Sequence, residues 1–207
     1  MKSLMGLFMP AMITISVLVG CGGSSGSVTG VQMGGSIQGI PLSLNGVVTT
    51  RYGTAGSSGS TDGTGAAARF YNPSSITTDG ANLFVADTVN HTIRKVVIAT
   101  GVVTTLAGTA SSQGSADGTG AAARFLYPYG ITTDGTNLYV ADSGNHTIRK
   151  MVIATGVVTT LAGTAGSEGS TDGTDTAARF LLPYGITTDG TNLFVADTFN
   201  HTIRDID

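Results

Sequence analysis

The sequence carries little charge, a single cysteine and none of the common catalytic motifs. Charged residues make up 11% of its 207 residues, and the formal net charge at pH 7 is −3. The lysines and arginines form no cluster that could follow a phosphate backbone, so nucleic acid is not an expected partner. The single cysteine, Cys21, excludes an intramolecular disulfide. A G-x-S-x-G nucleophile elbow, a phosphate-binding loop and a thiol motif are missing, so no motif supports an enzyme or a cofactor.

A mostly apolar run at the N-terminus is too short to cross a membrane as a helix. It extends over residues 4–19, is interrupted by Pro10, and follows a basic residue. Small residues before Cys21 and the Gly/Ser-rich segment after it resemble a bacterial lipoprotein signal. That resemblance implies a signal peptide at 1–20, a lipid on Cys21 with a tether at 21–45, and a location in the bacterial cell envelope, either periplasmic or at the outer membrane. The alternative is an ordinary secretory signal in which Cys21 is incidental.

The rest of the sequence repeats with a period of 55 residues. The block VADTVNHTIRK at 85–95 returns as VADSGNHTIRK at 140–150 and as VADTFNHTIRD at 195–205. The segment GVVTT recurs with the same period, beginning at Gly46, Gly101 and Gly156. A fixed period of this kind indicates an array of one supersecondary unit. Residues that recur with it are therefore explained first by how the units stack.

The middle repeat predicts four short strands and no sizeable helix. β-Branched residues at 101–107 and alternating polar and apolar residues at 146–153 predict two of the strands. The other two strands are predicted at 131–133 and 138–141, with an Asp-Gly turn between them. Residues 121–125 are expected to form one helical turn that places Phe125 in an apolar seam. Four-stranded antiparallel sheets that repeat radially form a β-propeller.

The pattern PYGITTDGTNLYVADSGNHTIRK, followed by TGVVTTLAG, closely resembles the NHL-repeat family of β-propellers. Three copies cover nearly everything after Asn45, which defines a repeat domain at 46–207. The resemblance implies an all-β, NHL-type propeller with three four-stranded blades, that is, a partial or half propeller. It also implies a binding platform, although a minority of related propellers are hydrolases or lyases.

The number of blades predicts self-association. Propeller rings typically close with roughly four to eight blades, so three are too few for a comfortable ring. The segment 46–53 has the sequence of a fourth strand and is expected to complete the last blade. Two chains that pair about a two-fold axis form a six-bladed homodimer in which both open faces are covered. The alternatives are an open monomer and a shortened copy of a longer propeller.

Four polar side chains recur in every repeat, at the turn between the second and third strands. A histidine and an aspartate within hydrogen-bond reach can act as a general base, but a set present once per blade is better explained by the blade itself. The aspartate and asparagine are expected to bond backbone groups of the turn, and the histidine to donate to a neighbouring carbonyl. No metal is expected, either at three equivalent histidines or at the isolated carboxylates of Asp62, Asp117 and Asp172. The repeated turn residues are Asp87, Asn90, His91, Arg94, Asp142, Asn145, His146, Arg149, Asp197, Asn200, His201 and Arg204.

Tyrosines and arginines in the loops before the innermost strands form the best candidate ligand-binding surface. Both residue types are enriched in binding hot spots, because they combine large contact area with hydrogen-bond donors. The alternative is that the arginines pair with nearby aspartates and the tyrosines fill the seams between blades. The candidates are Arg69, Tyr71, Arg124, Tyr127, Tyr129, Arg179 and Tyr184.

These features predict a lipid-anchored propeller of the cell envelope that binds a protein or a polysaccharide without catalysis. The second hypothesis is a propeller-type hydrolase or lyase with a site in the central channel, which requires a polar residue present in one blade only. Glu168 and Asp175 are the acidic residues that break the repeat, and both are expected at the periphery. The third hypothesis is a structural or degenerate repeat product without a specific ligand.

Overall fold

A computed structural model describes residues 43–207, and this part of the chain contains thirteen β-strands and six short 3-10 turns but no α-helix. The all-β fold class predicted from the sequence is confirmed. The expected signal peptide, Cys21 and nearly all of the tether lie outside the described residues. Within residues 43–207, no helix has the length and apolar character needed to cross a membrane.

The strands form three antiparallel sheets, one for each repeat. The first sheet contains β1 (Gly63–Thr64), β2 (Pro73–Thr78), β3 (Asn82–Asp87), β4 (Thr92–Val97) and β5 (Val102–Ala107). The second sheet contains β6 (Gly118–Thr119), β7 (Pro128–Thr133), β8 (Asn137–Asp142), β9 (Thr147–Val152) and β10 (Val157–Ala162). The third sheet contains β11 (Pro183–Thr188), β12 (Leu193–Asp197) and β13 (Thr202–Ile206).

The sheets share one topology and pack side by side. The strand order is β1-β5-β4-β3-β2 in the first sheet, β6-β10-β9-β8-β7 in the second and β11-β12-β13 in the third. Strands β2, β7 and β11 lie next to one another, with β7 in the middle. Each sheet is therefore a blade, and these three strands are the innermost of their blades.

The four strands predicted for the middle repeat are all present, with shifted ends. The innermost strand begins at Pro128 rather than Ile131, which is possible because a proline can begin a strand at the edge of a sheet. The two-residue strand β6 was not predicted, and it pairs with β10 through Val157 and Val158. The predicted helical turn is a 3-10 turn at Gly120–Ala122, and Phe125 behind it is 0% exposed in the seam between blades.

An aspartate shapes the tight turn between the two innermost strands of each blade, such as β7 and β8. In the middle blade, Asp134 Oδ1 accepts hydrogen bonds from Thr136 N at 2.7 Å and from Asn137 N at 2.6 Å. Gly135 takes the left-handed backbone conformation that the turn needs, with φ +87°. Burial raises the pKa of Asp134, but the hydrogen bonds from Asn137 and Thr136 outweigh it and hold the pKa below its usual value. The Asp-Gly signal in the sequence thus has a direct physical cause.

The hydrophobic core lies in the seams between blades. The seam between the first and second blades includes Phe84, Ile93, Phe125, Leu138 and Met151, all of which are buried. The seam between the second and third blades includes Ile148, Phe180 and Val195. Full burial of a large apolar side chain contributes about 1.5–3 kcal/mol, so blade-to-blade packing is a main source of stability.

The segment 46–53, expected to complete the last blade, does not do so in the structure. Residues 46–50 form no strand, and Val48 is 94% exposed. Within the described residues the third sheet therefore has three strands instead of four. The physical reason is separation, because the segment adjoins the first blade while the open edge, β13, belongs to the third.

Candidate functional site

A clamp of aspartate, asparagine and arginine fixes the second turn of each blade. In the middle blade, Asp142 Oδ2 accepts hydrogen bonds from Asn145 Nδ2 at 2.7 Å and from Arg149 Nη1 at 2.9 Å. Its Oδ1 accepts from Leu126 N at 2.7 Å. Asp142 is 0% and Arg149 is 1% exposed. A carboxylate so enclosed, with both oxygens bonded inside the blade, presents no atom to a dissolved substrate.

The other two blades repeat this clamp. Asp87 binds the side chains of Asn90 and Arg94, each at 2.8 Å. In the third blade the set is Asp197, Asn200 and Arg204, with distances of 2.8 and 3.1 Å from Asp197 Oδ2 to the two donor nitrogens.

The clamp arginines also form ion pairs with the loop aspartates at which no metal is expected. Arg149 Nη2 lies 2.7 Å from Asp117 Oδ1, and its guanidinium carbon lies 5.3 Å from the centroid of the Phe125 ring. Asp62 and Asp172 form the same ion pair in the other blades. Among residues 43–207, no group of three or more histidines, cysteines or carboxylates is placed to hold a metal.

Burial is the largest influence on the pKa of Asp142, the clamp aspartate of the middle blade. Burial raises the pKa of Asp142 to about 6, although the charge of Arg149 and the hydrogen bond from Asn145 act in the opposite direction. A buried ion pair gives little net stability over an apolar substitute, but loss of one partner is strongly destabilising. The clamp therefore specifies the geometry of the blade.

The repeated histidines connect neighbouring blades. His91 Nδ1 accepts from the backbone N of Tyr127 at 3.1 Å, and His146 Nδ1 accepts from the backbone N of Leu182 at 3.1 Å. The expectation that these histidines donate to a carbonyl is therefore wrong for Nδ1, which acts as an acceptor. Burial lowers the pKa of His91, which favours the neutral ring that this bond requires.

The three candidate arginines each bond the 3-10 turn that precedes them. Arg124 Nη1 donates to the carbonyl oxygens of Ala121 and Ala123. Arg69 and Arg179 make the same two bonds to their own turns. One nitrogen of each guanidinium is thus engaged within the blade, and the partners are carbonyls rather than the aspartates of the packing hypothesis.

The four candidate tyrosines fall into two groups. Tyr71 and Tyr127 are 46% and 43% exposed, and the Tyr127 ring packs edge-on against His91 with 4.7 Å between ring centroids. Tyr129 and Tyr184 occupy equivalent positions on β7 and β11, and their rings stack with centroids 4.4 Å apart and planes inclined by 19°. The structure thus brings together the two tyrosines of adjacent innermost strands.

Phe199, which the sequence analysis missed, extends this stack. Its ring centroid lies 6.0 Å from that of Tyr184 in an edge-on arrangement, and the residue is 51% exposed. The signal in the sequence was its departure from the repeat, since Val89 and Gly144 occupy the equivalent positions. We refer to Tyr129, Tyr184 and Phe199 as the aromatic row. It presents apolar ring faces beside phenolic hydroxyls, a combination suited to amphipathic ligands.

Three antiparallel blades arranged around their innermost strands define a β-propeller protein. No protein-family model matches the chain. NHL repeat-containing protein 2 of Homo sapiens is 39% identical to it over 135 residues, which are 60% of this chain and 19% of that protein.

Two solved structures have the same fold, and both are of auxiliary nutrient binding proteins. The one from Bacteroides ovatus is 28% identical with a TM-score of 0.55, and the match covers 62% of this chain and 35% of that one. The one from Bacteroides thetaiotaomicron is 25% identical with a TM-score of 0.56, covering 64% of this chain and 36% of that one. The chain is thus a β-propeller protein that is similar to NHL repeat-containing proteins. It spans about a fifth of the length of the human relative and about a third of the two structures.

Proposed function

We propose that this protein is a non-catalytic binding platform of the bacterial cell envelope, which binds a protein or a polysaccharide through the aromatic row. The observation that carries the proposal is the stack of Tyr129 and Tyr184 at 4.4 Å, continued by the half-exposed Phe199. Rigid aromatic side chains provide a large contact area at low cost in conformational entropy. The nutrient binding proteins of the same fold add support for binding as the function.

The repeated polar residues favour binding over catalysis. The aspartates and arginines of the clamps bond each other, and His91 and His146 bond the following blade. The acidic residues that break the repeat, Glu168 and Asp175, are both exposed in the third repeat. None of these arrangements pairs a base with a nucleophile, as acyl or glycosyl transfer requires.

Ligand binding is tested by screening the purified protein on a glycan array and in pull-downs from envelope extracts. Tyr184→Ala and Phe199→Ala are each expected to weaken the binding found there by roughly tenfold or more, as for hot-spot residues. Tyr139→Ala is the matched control, because Tyr139 lies on β8 near the Asp134 turn and donates its hydroxyl to Asp134 at 2.9 Å. Equal affinity of all variants would contradict a role of the aromatic row.

The proposed anchor is a lipid on Cys21. Two or more acyl chains hold a protein stably on a membrane, whereas one chain binds marginally, so multiple acylation is sufficient without a spanning helix. Cys21→Ala is expected to leave the protein unprocessed or to release it from the membrane fraction, while the control Ser24→Ala behaves as wild type. Unchanged processing and fractionation of Cys21→Ala would refute the anchor.

The proposal includes a homodimer. The described residues hold three blades, and a closed propeller typically needs roughly four to eight. Two copies supply six blades, and the two-fold axis then places a second aromatic row opposite the first.

A further inference from the structure

The third sheet has an empty strand position. In the first sheet β5 lies between β4 and β1, and in the second sheet β10 lies between β9 and β6. The equivalent edges of the third sheet are β13 and residues 173–174, and in the described part of the chain no strand lies between them. A groove of about 440 Å³ occupies this position, lined among others by Thr174, Ile203 and Ile206. Such an open edge is a template for another strand.

The second sheet shows what the missing strand must supply. Val158 of β10 is 0% exposed, and Thr160 Oγ1 donates to Asp117 Oδ1 at 3.1 Å. The first sheet repeats both features. Asp172, at the equivalent position of the third repeat, has a side chain that is 95% exposed, compared with 50% for Asp117. The occupant therefore needs a valine and, two residues later, a threonine.

Residues 46–50 have the required sequence. They read GVVTT, as do 101–105 and 156–160, which begin the strands that fill the equivalent positions. In the structure this copy forms no strand, and Val48, which is equivalent to Val158, is 94% exposed. The described residues thus contain both an unpaired segment with the sequence of a fourth strand and an unfilled place for one.

The unpaired segment and the groove lie at opposite ends of the array. Gly53 N donates to Gly65 O at 3.1 Å, as Gly108 N donates to Gly120 O at 3.1 Å. In the second case, the strand before the glycine belongs to the preceding blade. The first bond therefore directs residues 46–52 towards a blade that would precede the first one. The groove is in the third blade, beyond the middle one, so residues 46–52 point away from the groove of their own copy.

Each open end of the array exposes apolar residues that are equivalent to residues buried in an internal seam. The two ends are equivalent to the two opposite sides of such a seam, so their apolar faces are complementary. Ile203 on the third blade is 73% exposed, whereas Ile148 at the equivalent position is 0% exposed. Ile76 on the first blade is 59% exposed, whereas Ile131 is 3% exposed. Where a neighbouring blade is present, the first position is buried in Ile93 and Ile148, and the second is buried in Ile131 and half-buried in Ile186. Exposed apolar faces of this kind mark association sites.

The two residues of a hydrogen bond across the internal seam also have equivalents, one at each open end. His146 Nδ1 accepts from Leu182 N across an internal seam at 3.1 Å. The equivalent residues at the open ends are His201 and Asn72. Leu182, which donates to His146, has φ +47°, and Asn72 has φ +55°. The backbone of Asn72 thus already has the left-handed conformation that Leu182 has when it donates this bond.

We propose that residues 46–52 of one copy insert as the fourth strand of the third blade of a second copy, and that reciprocal insertion closes the two chains into a six-bladed ring. Val48 becomes buried, and Thr50 donates to Asp172 of the partner copy. Each copy donates one strand and accepts one, so a single two-fold axis covers both open ends. The inference rests on the homodimer within the proposed function but not on its ligand, so assembly is measured separately from binding.

The first test is the mass of the full chain carrying Cys21→Ser, measured by light scattering and sedimentation at micromolar concentration. The expected result is a dimer of twice the chain mass, reduced to a monomer by Val48→Asp. Val47→Asp is the matched control and remains dimeric, because the equivalent Val102 stays 37% exposed within its sheet. A monomeric Cys21→Ser chain, or equal behaviour of the two aspartate variants, would overturn the proposal.

The second test traps the inserted strand with a disulfide. Thr104 lies directly opposite Lys95 in the first sheet, and the equivalent positions are Thr49 and Asp205. Directly paired positions on antiparallel strands lie within the Cα distance that a disulfide spans. Thr49→Cys with Asp205→Cys in the Cys21→Ser chain is expected to give, on oxidation, a covalent dimer. A cross-linked monomer would show closure within one chain, and a ladder of larger species an open array; either contradicts the ring. Thr49→Cys paired with Thr136→Cys is the control that should not cross-link.

Discussion

Replacing Asp142 by alanine is expected to lower the free energy of unfolding by about 3–5 kcal/mol, the usual cost of removing one partner from a buried ion pair. The substitution removes three hydrogen bonds, those that Asp142 accepts from Leu126 N, Asn145 Nδ2 and Arg149 Nη1. Arg149 is 1% exposed, so water cannot replace the lost carboxylate there. Its remaining ion pair, with the half-exposed Asp117, compensates only in part.

Asp134→Ala is the matched control for this prediction. Asp134 also accepts several hydrogen bonds, from Thr136 N, Asn137 N and the hydroxyl of Tyr139, but it lies in an exposed turn. Water replaces the carboxylate for these donors, so the expected loss is about 1 kcal/mol. The two variants remove similar numbers of hydrogen bonds from the same blade and differ in burial.

The measurement is urea unfolding of the purified protein at about pH 8, followed by circular dichroism and by tyrosine fluorescence. Two probes are needed because arrays of repeats can unfold in parts, and coincident transitions justify a single unfolding free energy. A loss for Asp142→Ala no larger than that for Asp134→Ala would refute the reasoning that burial determines the cost.

Two further substitutions test local geometry and pH dependence. Gly108 has φ +86°, and Gly108→Ala places a Cβ 2.5 Å from the His91 carbonyl oxygen. Gly135 has φ +87° with open space around it, so Gly135→Ala should lower the free energy of unfolding by only about 1–2 kcal/mol of backbone strain. The loss should therefore be clearly larger for Gly108→Ala. Thermal unfolding of both variants decides this, and equal losses would contradict it. Because burial raises the pKa of Asp142 to about 6 from about 3.9 in an unfolded chain, the folded state binds more protons between these values. The unfolding free energy of wild type relative to Asp142→Asn should therefore fall as pH rises from about 4 to about 6 and stay level above, and a rise over that range would contradict it.

The repeat period and the turn residues are sufficient to predict the blade from the sequence. The Asp-Gly signal before Asn137 predicts a turn because the carboxylate bonds the backbone two and three residues later, a purely local interaction. The place of Phe125 was predicted for a similar reason, since an apolar residue after a short turn needs a seam to fill. Contacts within one repeat can thus be predicted from its sequence pattern.

Contacts between repeats were predicted poorly. The partner of His91 Nδ1 is Tyr127 N, 36 residues further along and in the next blade, and no local pattern indicates it. Phe199 was missed for the same reason, because only the packing of β11 against the turn after β12 brings it to Tyr184. The segment 46–53 has the sequence of a fourth strand but residues 46–50 form no strand in the structure, and sequence alone does not decide which blade the segment joins.

The repeated histidines His91, His146 and His201 recur in the sequence pattern, but their hydrogen bonds depend on contacts between blades. The hydrogen bond of each histidine therefore indicates whether its blade has a neighbour. His91 is 7% exposed and His146 is half-buried, and each accepts from the next blade, whereas His201 is exposed at the open end. In a closed ring His201 gains the same bond, so His201→Ala should cost about as much as His146→Ala, roughly 1 kcal/mol. In the Val48→Asp chain, which cannot donate its strand, His201→Ala should cost almost nothing while His146→Ala keeps its full effect. Unfolding free energies of the four combinations measure this coupling, and a His201→Ala cost that ignores the Val48→Asp change would mean that the third blade has no neighbour in solution.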